Sequence, residues 1–221
     1  MDFWVLFALA AVGLGIWSVV KWRLRKQRIG ELSAFAAQRG WQYEERDDSL
    51  ADRYTGTPFG RGSSRRVRHV LSGQHRGRRV TAFEYSYTEG SGDNSTTYTF
   101  TVAALATPAH RPWLEVKREG LGRKLLGLIG VRDLQLESDE FNERFHVDTA
   151  DAKFAYDVLH PRMMEWLIGD RRAADLGWAF RFEQGDLVTW AKGPLEIDKL
   201  MGMLDYLGEI LEQVPSFVWK P

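Results

Sequence analysis

The chain has 221 residues, of which 44% are hydrophobic and 13% aromatic, enough to bury one domain core and too many for a largely disordered protein. It contains no cysteine, which excludes a disulfide scaffold, a thiolate nucleophile and a Cys-ligated zinc site. The net charge of zero hides an asymmetry: residues 1–80 carry 15 Lys and Arg against 7 Asp and Glu, and the remainder carries 15 against 23. Because a dedicated nucleic-acid binder is usually basic overall, an anionic membrane is the better partner for the basic portion.

The first candidate element is a run of 18 uncharged residues, Phe3 to Val20. Since a helix of about 20 apolar residues crosses the hydrocarbon core of a bilayer, this run predicts a single transmembrane helix. Trp4 and Trp22 fall near its two ends, at the positions that indole rings favour in membrane interfaces. A cleaved signal peptide is disfavoured because Asp2 precedes the run and no small-residue cleavage site follows it.

Five cations follow the run directly, whereas only Asp2 lies on its other side. They are Lys21, Arg23, Arg25, Lys26 and Arg28. Positive charge next to a transmembrane helix marks its cytosolic side, so the N-terminus is predicted outside the cell membrane. The predicted organisation is a single-pass anchor with a basic juxtamembrane segment over residues 1–28 and a cytosolic domain over residues 29–221.

The pattern after residue 28 predicts an α+β domain, in which a mainly antiparallel sheet packs against helices. A helix continues past Leu32 to a C-terminal cap at Gly40. Runs rich in Val, Thr, Tyr and Phe predict an antiparallel meander of strands at 66–73, 78–88 and 98–105, with Phe83, Tyr85 and Tyr87 on one face.

The second half of the chain alternates short strands with helices. Further strands are predicted at 113–116, 133–136, 145–147, 178–182 and 187–190, the last two forming a hairpin around Gln184 and Gly185. Amphipathic or helical patterns are found at 120–130, at 139–145 behind a cap at Ser138, and at 151–159, 162–168 and 195–214. The long C-terminal helix is predicted to cover the sheet.

Three segments carry a resemblance to a known family. They read ESDEFNERFHV over residues 137–147, DAKFAYDVLHPRMMEWL over residues 151–167, and PSFVW over residues 215–219, behind the N-terminal membrane helix. Together they resemble a family of small membrane-anchored actinobacterial proteins of unknown function. The resemblance implies a membrane anchor, and it assigns no activity and no catalytic residue.

The strongest local feature is residues 61–79, which hold seven arginines and no acidic residue. Five of these arginines are candidates for binding anionic lipid or a protein partner, together with the five juxtamembrane cations. They are Arg66, Arg68, Arg76, Arg78 and Arg79. On a strand, Arg66 and Arg68 share one face, and Val67 and His69 share the other. The alternative is a solvated surface neutralised by acidic residues elsewhere in the chain.

No standard catalytic motif occurs in the sequence. There is no HExxH spacing, no Gly-rich phosphate loop and no nucleophile elbow, so no cofactor and no metal are predicted. The leading prediction is therefore a membrane-tethered interaction or scaffold module with little affinity for nucleic acid. The alternative is a membrane-anchored enzyme with a non-standard site formed by Asp157, His160 and the acidic segment 137–148, although a capping role for His160 competes with a general base.

Overall fold

A computed structural model describes residues 3–119 and 136–220, without the side chains of residues 3–12, 14–16 and 93. The predicted amphipathic segment 120–130 and residues 133–135 of a predicted strand lie outside the described residues, as does the side chain of Trp4. Leu136, the last residue of that predicted strand, is not in a strand.

The described chain forms six α-helices and eight strands. The helices are α1 (Phe3–Gln38), α2 (Asp139–Arg144), α3 (Ala152–Val158), α4 (Pro161–Gly169), α5 (Arg171–Ala174) and α6 (Ile197–Gln213). The strands are β1 (Gln42–Arg46), β2 (Ser63–His75), β3 (Arg78–Glu89), β4 (Thr96–Ala106), β5 (Leu114–Arg118), β6 (Phe145–Thr149), β7 (Ala179–Glu183) and β8 (Asp186–Lys192). Single turns of 3-10 helix occur at Asp48–Asp52, Gly92–Asn94 and Ser216–Trp219.

All eight strands join one antiparallel sheet in the order β1-β2-β3-β4-β8-β7-β5-β6. The predicted meander is confirmed as β2, β3 and β4. Two hairpins close through two-residue turns with positive φ at both positions, Arg76-Gly77 and Gln184-Gly185, the backbone that matches the twist of paired strands. The predicted hairpin at Gln184 and Gly185 is therefore confirmed.

The two faces of the sheet are covered differently. Helices cover one face, where Leu200, Met203, Leu204 and Leu207 of α6 are fully buried as the helical stripe predicts. On the other face, the segment 47–62 between β1 and β2 lies over an aromatic cluster. That cluster includes Tyr54, Phe59, Phe83, Tyr85 and Tyr87, which confirms the predicted shared face of the last three.

Helix α1 is continuous from Phe3 to Gln38, so the predicted boundary at residue 28 falls inside one helix. Its C-terminal part packs on the sheet through buried Leu32 and Ala36. In the part of the chain that the structure describes, no helix is long and apolar enough to span a bilayer. The transmembrane helix therefore stays a prediction from the sequence.

The chain reverses direction at Gly40, which has the positive φ of +66° expected of a helix cap. The Trp41 amide donates a hydrogen bond of 2.8 Å to the carbonyl oxygen of Ala36 and closes the cap. Strand β1 consequently runs back along α1 toward its basic segment, and a groove lies between this part of α1 and the sheet.

Candidate functional site

An open groove of about 760 Å³ lies between α1 and the edge of the sheet. Four cations line it: Lys21, Arg25 and Arg28 from α1, and Arg68 from β2. The carboxylates in its lining are Glu31 and Glu84, so positive charge is in excess. We call this feature the basic groove.

A set of polar contacts fixes α1 at the inner end of the basic groove. Arg28 Nη2 donates to the Leu195 carbonyl oxygen at 2.7 Å and lies 3.3 Å from Glu84 Oε2. The Leu195 amide donates to the same Glu84 oxygen at 3.1 Å. Glu84 therefore links the helix to the segment that leads into α6. Farther along α1, Arg25 forms an ion pair with Glu45 of β1.

The other two cations of the basic groove, Lys21 and Arg68, have different surroundings. Among the described residues, neither Lys21 nor Arg68 has a carboxylate within the 4.0 Å of an ion pair. Lys21 Nζ instead lies 3.7 Å from the centroid of the Trp17 ring. Arg68 is half-buried and sits opposite Glu84 in the β2–β3 register. An anion could approach either cation without displacing a protein carboxylate from it.

His69 also lines the basic groove, and its predicted shared face with Val67 is wrong. Strand β2 has one extra residue between Arg68 and Leu71, and His69 has a φ of 52° there. This bulge turns His69 away from the aromatic cluster that holds Val67. The His69 Nδ1 is hydrogen-bonded to the Tyr43 hydroxyl at 2.8 Å. Burial lowers the pKa of His69, so the ring is neutral at pH 7.

Apolar side chains surround the outer end of the groove. Five of them on α1 are between 48% and 60% exposed, namely Trp17, Val19, Val20, Trp22 and Leu24. At about 100° per residue, these positions point to every side of the helix. The surfaces of soluble monomers rarely expose so many large apolar groups together.

The structure brings together four of the ten cations that the sequence nominates and separates the others. Arg23, Lys26 and Arg66 are exposed and do not line the basic groove. Arg76, Arg78 and Arg79 lie at the far turn of the β2–β3 hairpin.

The far turn is largely neutralised from within the chain. Arg76 pairs with Asp205 and Glu212 of α6, each at 3.1 Å, and Arg79 lies 3.9 Å from Asp186. Arg79 is opposite Gln74, six residues along β2 from Arg68, which corresponds to about 20 Å. The arginines at this end of the hairpin therefore fit the alternative given from the sequence, in which acidic residues elsewhere in the chain neutralise their charge.

The residues of the alternative enzyme site do not converge. His160 caps α4, since its Nδ1 accepts a hydrogen bond of 3.4 Å from the Met163 amide while its Nε2 lies 3.1 Å from the Gln213 carbonyl oxygen. Asp157 accepts a hydrogen bond from Lys153 at 3.0 Å, one helical turn away. Each side chain has a structural role on its own element.

The acidic segment 137–148 is likewise divided. Glu137 and Glu140 line a pocket of about 390 Å³ with Glu165, Met164 and Ile168. Across the described residues, no group of three or more His, Asp and Glu side chains has the arrangement of metal ligands.

Asp148 of that segment lies on β6 within a row of buried charges. Its Oδ1 is 3.0 Å from His146 Nε2 and its Oδ2 is 2.9 Å from Lys117 Nζ. The hydrogen bond from His146, together with Lys117, holds the pKa of the Asp148 carboxyl well below its usual range. The row continues through Glu115 to the fully buried guanidinium of Arg181.

Sequence reasoning missed Glu84, His69, Leu24 and Pro194 as parts of the groove. A signal existed for Glu84, because it interrupts the apolar character of β3 on the face opposite Phe83 and Tyr85. That Arg68 lies opposite Glu84 can be known only from the β2–β3 register. For Pro194 no local signal exists, since the sheet order alone brings it beside α1.

The fold and the groove together define an α+β protein with an eight-stranded antiparallel sheet, helices on one face and a basic groove beside its N-terminal helix. This architecture is similar to the crystal structure of the mycobacterial trehalose monomycolate transport factor A, TtfA, with a TM-score of 0.54. The match covers 85% of this chain and 96% of that chain at 17% sequence identity, a level at which the likeness concerns the fold. No protein family and no curated protein matches the sequence.

Proposed function

We propose that this chain is a membrane-tethered accessory factor in a transport process, acting by binding rather than by catalysis. Its N-terminal helix crosses the cell membrane once, with the N-terminus outside and the domain on the cytoplasmic face. The domain contacts anionic lipid and a protein of the transport machinery.

The observation that carries the proposal is the exposure of large apolar side chains on α1 at and just beyond the end of the uncharged run that begins at Phe3, from Trp17 to Leu24. Lipid is the solvent that this stretch requires. The cations that follow it support the orientation, because positive residues stay on the cytoplasmic side.

The transport role is supported by the likeness in fold to TtfA, whose name describes a transport factor for trehalose monomycolate. Binding is favoured over catalysis because the basic groove is open, whereas Asp157 and His160 have separate structural roles.

The tether is tested by alkaline carbonate extraction of membranes from cells that express the full chain. We expect the full chain to stay in the membrane pellet and a variant lacking residues 3–20 to move to the supernatant. Protease added to right-side-out spheroplasts should leave residues 29–220 intact. Extraction of the full chain by carbonate, or digestion of the domain in intact spheroplasts, would overturn the proposal.

The transport role is tested in the native host by depleting the chain and labelling lipids metabolically. We expect one labelled amphiphile to accumulate in the cell membrane while its synthesis continues. An unchanged distribution of every labelled lipid between membrane fractions would contradict the role.

A further inference from the structure

We propose that the basic groove seats the headgroup of an anionic phospholipid from the adjacent leaflet, with Arg68 and Lys21 as its principal contacts. This inference rests on the proposed tether and deepens it, because it turns general attraction to a charged surface into a defined site. Nothing in the sequence pattern distinguishes Arg68 from the other six arginines of residues 61–79.

The depth of the groove fits a headgroup. Helix α1 rises about 1.5 Å per residue, so Lys21 to Arg28 covers about 11 Å beyond the end of the uncharged run at Val20. The headgroup region of one leaflet occupies about the first half of that distance. Lys21 therefore lies at the level of the lipid phosphates, while Arg28, fixed by Glu84 and Leu195, closes the groove on the side of the domain.

The chemistry of the lining suits an amphiphile rather than a simple ion. Lys21 and Arg68 supply charge-assisted donors for a phosphate diester without the loss of an existing ion pair. Trp22, Leu24 and Pro194 form the apolar part of the lining. Exposed apolar groups of α1 continue outward from there, so an acyl chain leaving the groove follows an apolar surface.

A protein ligand is the weaker occupant on the same observations. Lys21 and Trp22 line the groove at the end of α1 nearest the uncharged run, which a bilayer covers in the tethered chain. A lipid reaches this end of the groove by diffusing within its leaflet.

The test uses the full chain in a neutral detergent, titrated with short-chain phosphatidylglycerol and observed by native mass spectrometry. Phosphatidylglycerol should bind about tenfold more tightly than short-chain phosphatidylcholine, because only the former carries a net negative charge to the unpaired cations. Equal affinity for the two lipids would overturn the proposal. Displacement of phosphatidylglycerol by an equal concentration of glycerol 3-phosphate would also overturn it, because the site would then bind a soluble anion.

The Arg68→Gln variant tests the residue assignment, and Arg78→Gln is its matched control. Both remove one arginine from the β2–β3 hairpin, but only Arg68 lines the groove. Arg68→Gln should weaken phosphatidylglycerol binding about fivefold, the effect of one cation near an anionic headgroup, whereas Arg78→Gln should leave it unchanged. Equal weakening by both variants would refute the site.

Two controls keep the outcomes separate. Thermal unfolding of each lipid-free variant checks that the fold is retained. Unchanged lipid affinity in a folded Arg68→Gln variant would overturn the lipid assignment and leave the groove to a protein ligand. Because the titration takes place in detergent, it does not depend on whether the chain spans a bilayer, and carbonate extraction decides the tether independently.

Discussion

Replacing Arg181 by Met should destabilise the domain more than any substitution of a surface arginine. The Arg181 side chain is completely buried, and its Nε donates to Glu115 at 2.8 Å. Its Nη2 donates to the Thr57 carbonyl oxygen at 3.1 Å, and Nη1 lies 3.4 Å from Glu183. The guanidinium thus fastens the segment between β1 and β2 onto the sheet.

The magnitude follows from what the substitution leaves behind. Glu115 and Glu183 are each only 7% exposed, so they would keep buried charge without this partner. Breaking a buried ion pair by removing one member costs about 3 to 5 kcal/mol. For a domain of this size, that loss lowers the melting temperature by about 6 to 20 °C.

The assay is thermal unfolding of the full chain in detergent, followed by circular dichroism. The matched control is Arg61→Met, which removes a surface pair of 3.4 Å to Glu89 and should cost less than about 1 kcal/mol. Adding Glu183→Gln to Arg181→Met should recover part of the loss, because among the described residues Arg181 is the cation paired with Glu183, whereas Glu115 keeps its ion pair with Lys117. If Arg181→Met lowered the melting temperature no further than Arg61→Met, the buried network would not hold the segment as described.

Two further predictions concern the surroundings of the groove. Gly73→Ala should lower the melting temperature, because a Cβ built at Gly73 falls 2.2 Å from the Trp41 ring. The control is Gly30→Ala, whose added Cβ meets nothing within 4 Å and should stabilise α1 by about 0.5 to 1 kcal/mol. Equal shifts for the two variants would refute the tight packing at Trp41. Burial lowers the pKa of His69 in the folded chain. Below the ordinary His pKa of about 6.5, the unfolded chain therefore binds a proton at this ring that the folded chain does not bind. Stability should therefore fall as the pH drops from 7 toward 5, and His69→Gln should flatten this part of the unfolding profile; an unchanged profile would contradict the assignment.

Most individual elements could be predicted because their signals are local. Alternation placed Phe83, Tyr85 and Tyr87 on one face, and the stripe from Leu200 to Leu211 identified the buried side of α6. Gly40 and Gly185 were predicted as a cap and a turn, and both have the positive φ that glycine tolerates.

The sheet order could not be predicted in the same way. Strand β8 lies beside β4, and β5 lies between β7 and β6, although β5 precedes both in the chain. These pairings join strands of 5 to 11 residues that are distant in sequence, so no local pattern records them. Consequently the position of Pro194 beside α1, and with it part of the lining of the groove, was not predictable.

Arg181 shows a second limit of pattern reading. In β7 it alternates with Phe180 and Phe182, which predicts an apolar face and a solvated face. The second face is buried as well, because the segment around Thr55 and Thr57 lies over it. Alternation tells which face a residue joins, but it does not tell what covers that face.

The charge asymmetry of the sequence has two different outcomes, one at the turn of the β2–β3 hairpin and one in the middle of β2. At the turn, Arg76 meets Asp205 and Glu212 of α6, so part of the basic first portion is neutralised by the acidic remainder of the same chain. Beside α1, Arg68 and Lys21 have no such partner among the described residues, and both line the groove next to the end of the uncharged run. Excess positive charge is therefore retained where α1 leaves the domain and is lost about 20 Å away, where no membrane contact is proposed. At the open end of the hairpin the arginines are paired again, Arg61 with Glu89 at 3.4 Å and Arg65 with Asp52 at 3.2 Å. Arg68 in the basic groove, rather than the whole arginine-rich stretch, is therefore the part of residues 61–79 that we expect to meet lipid.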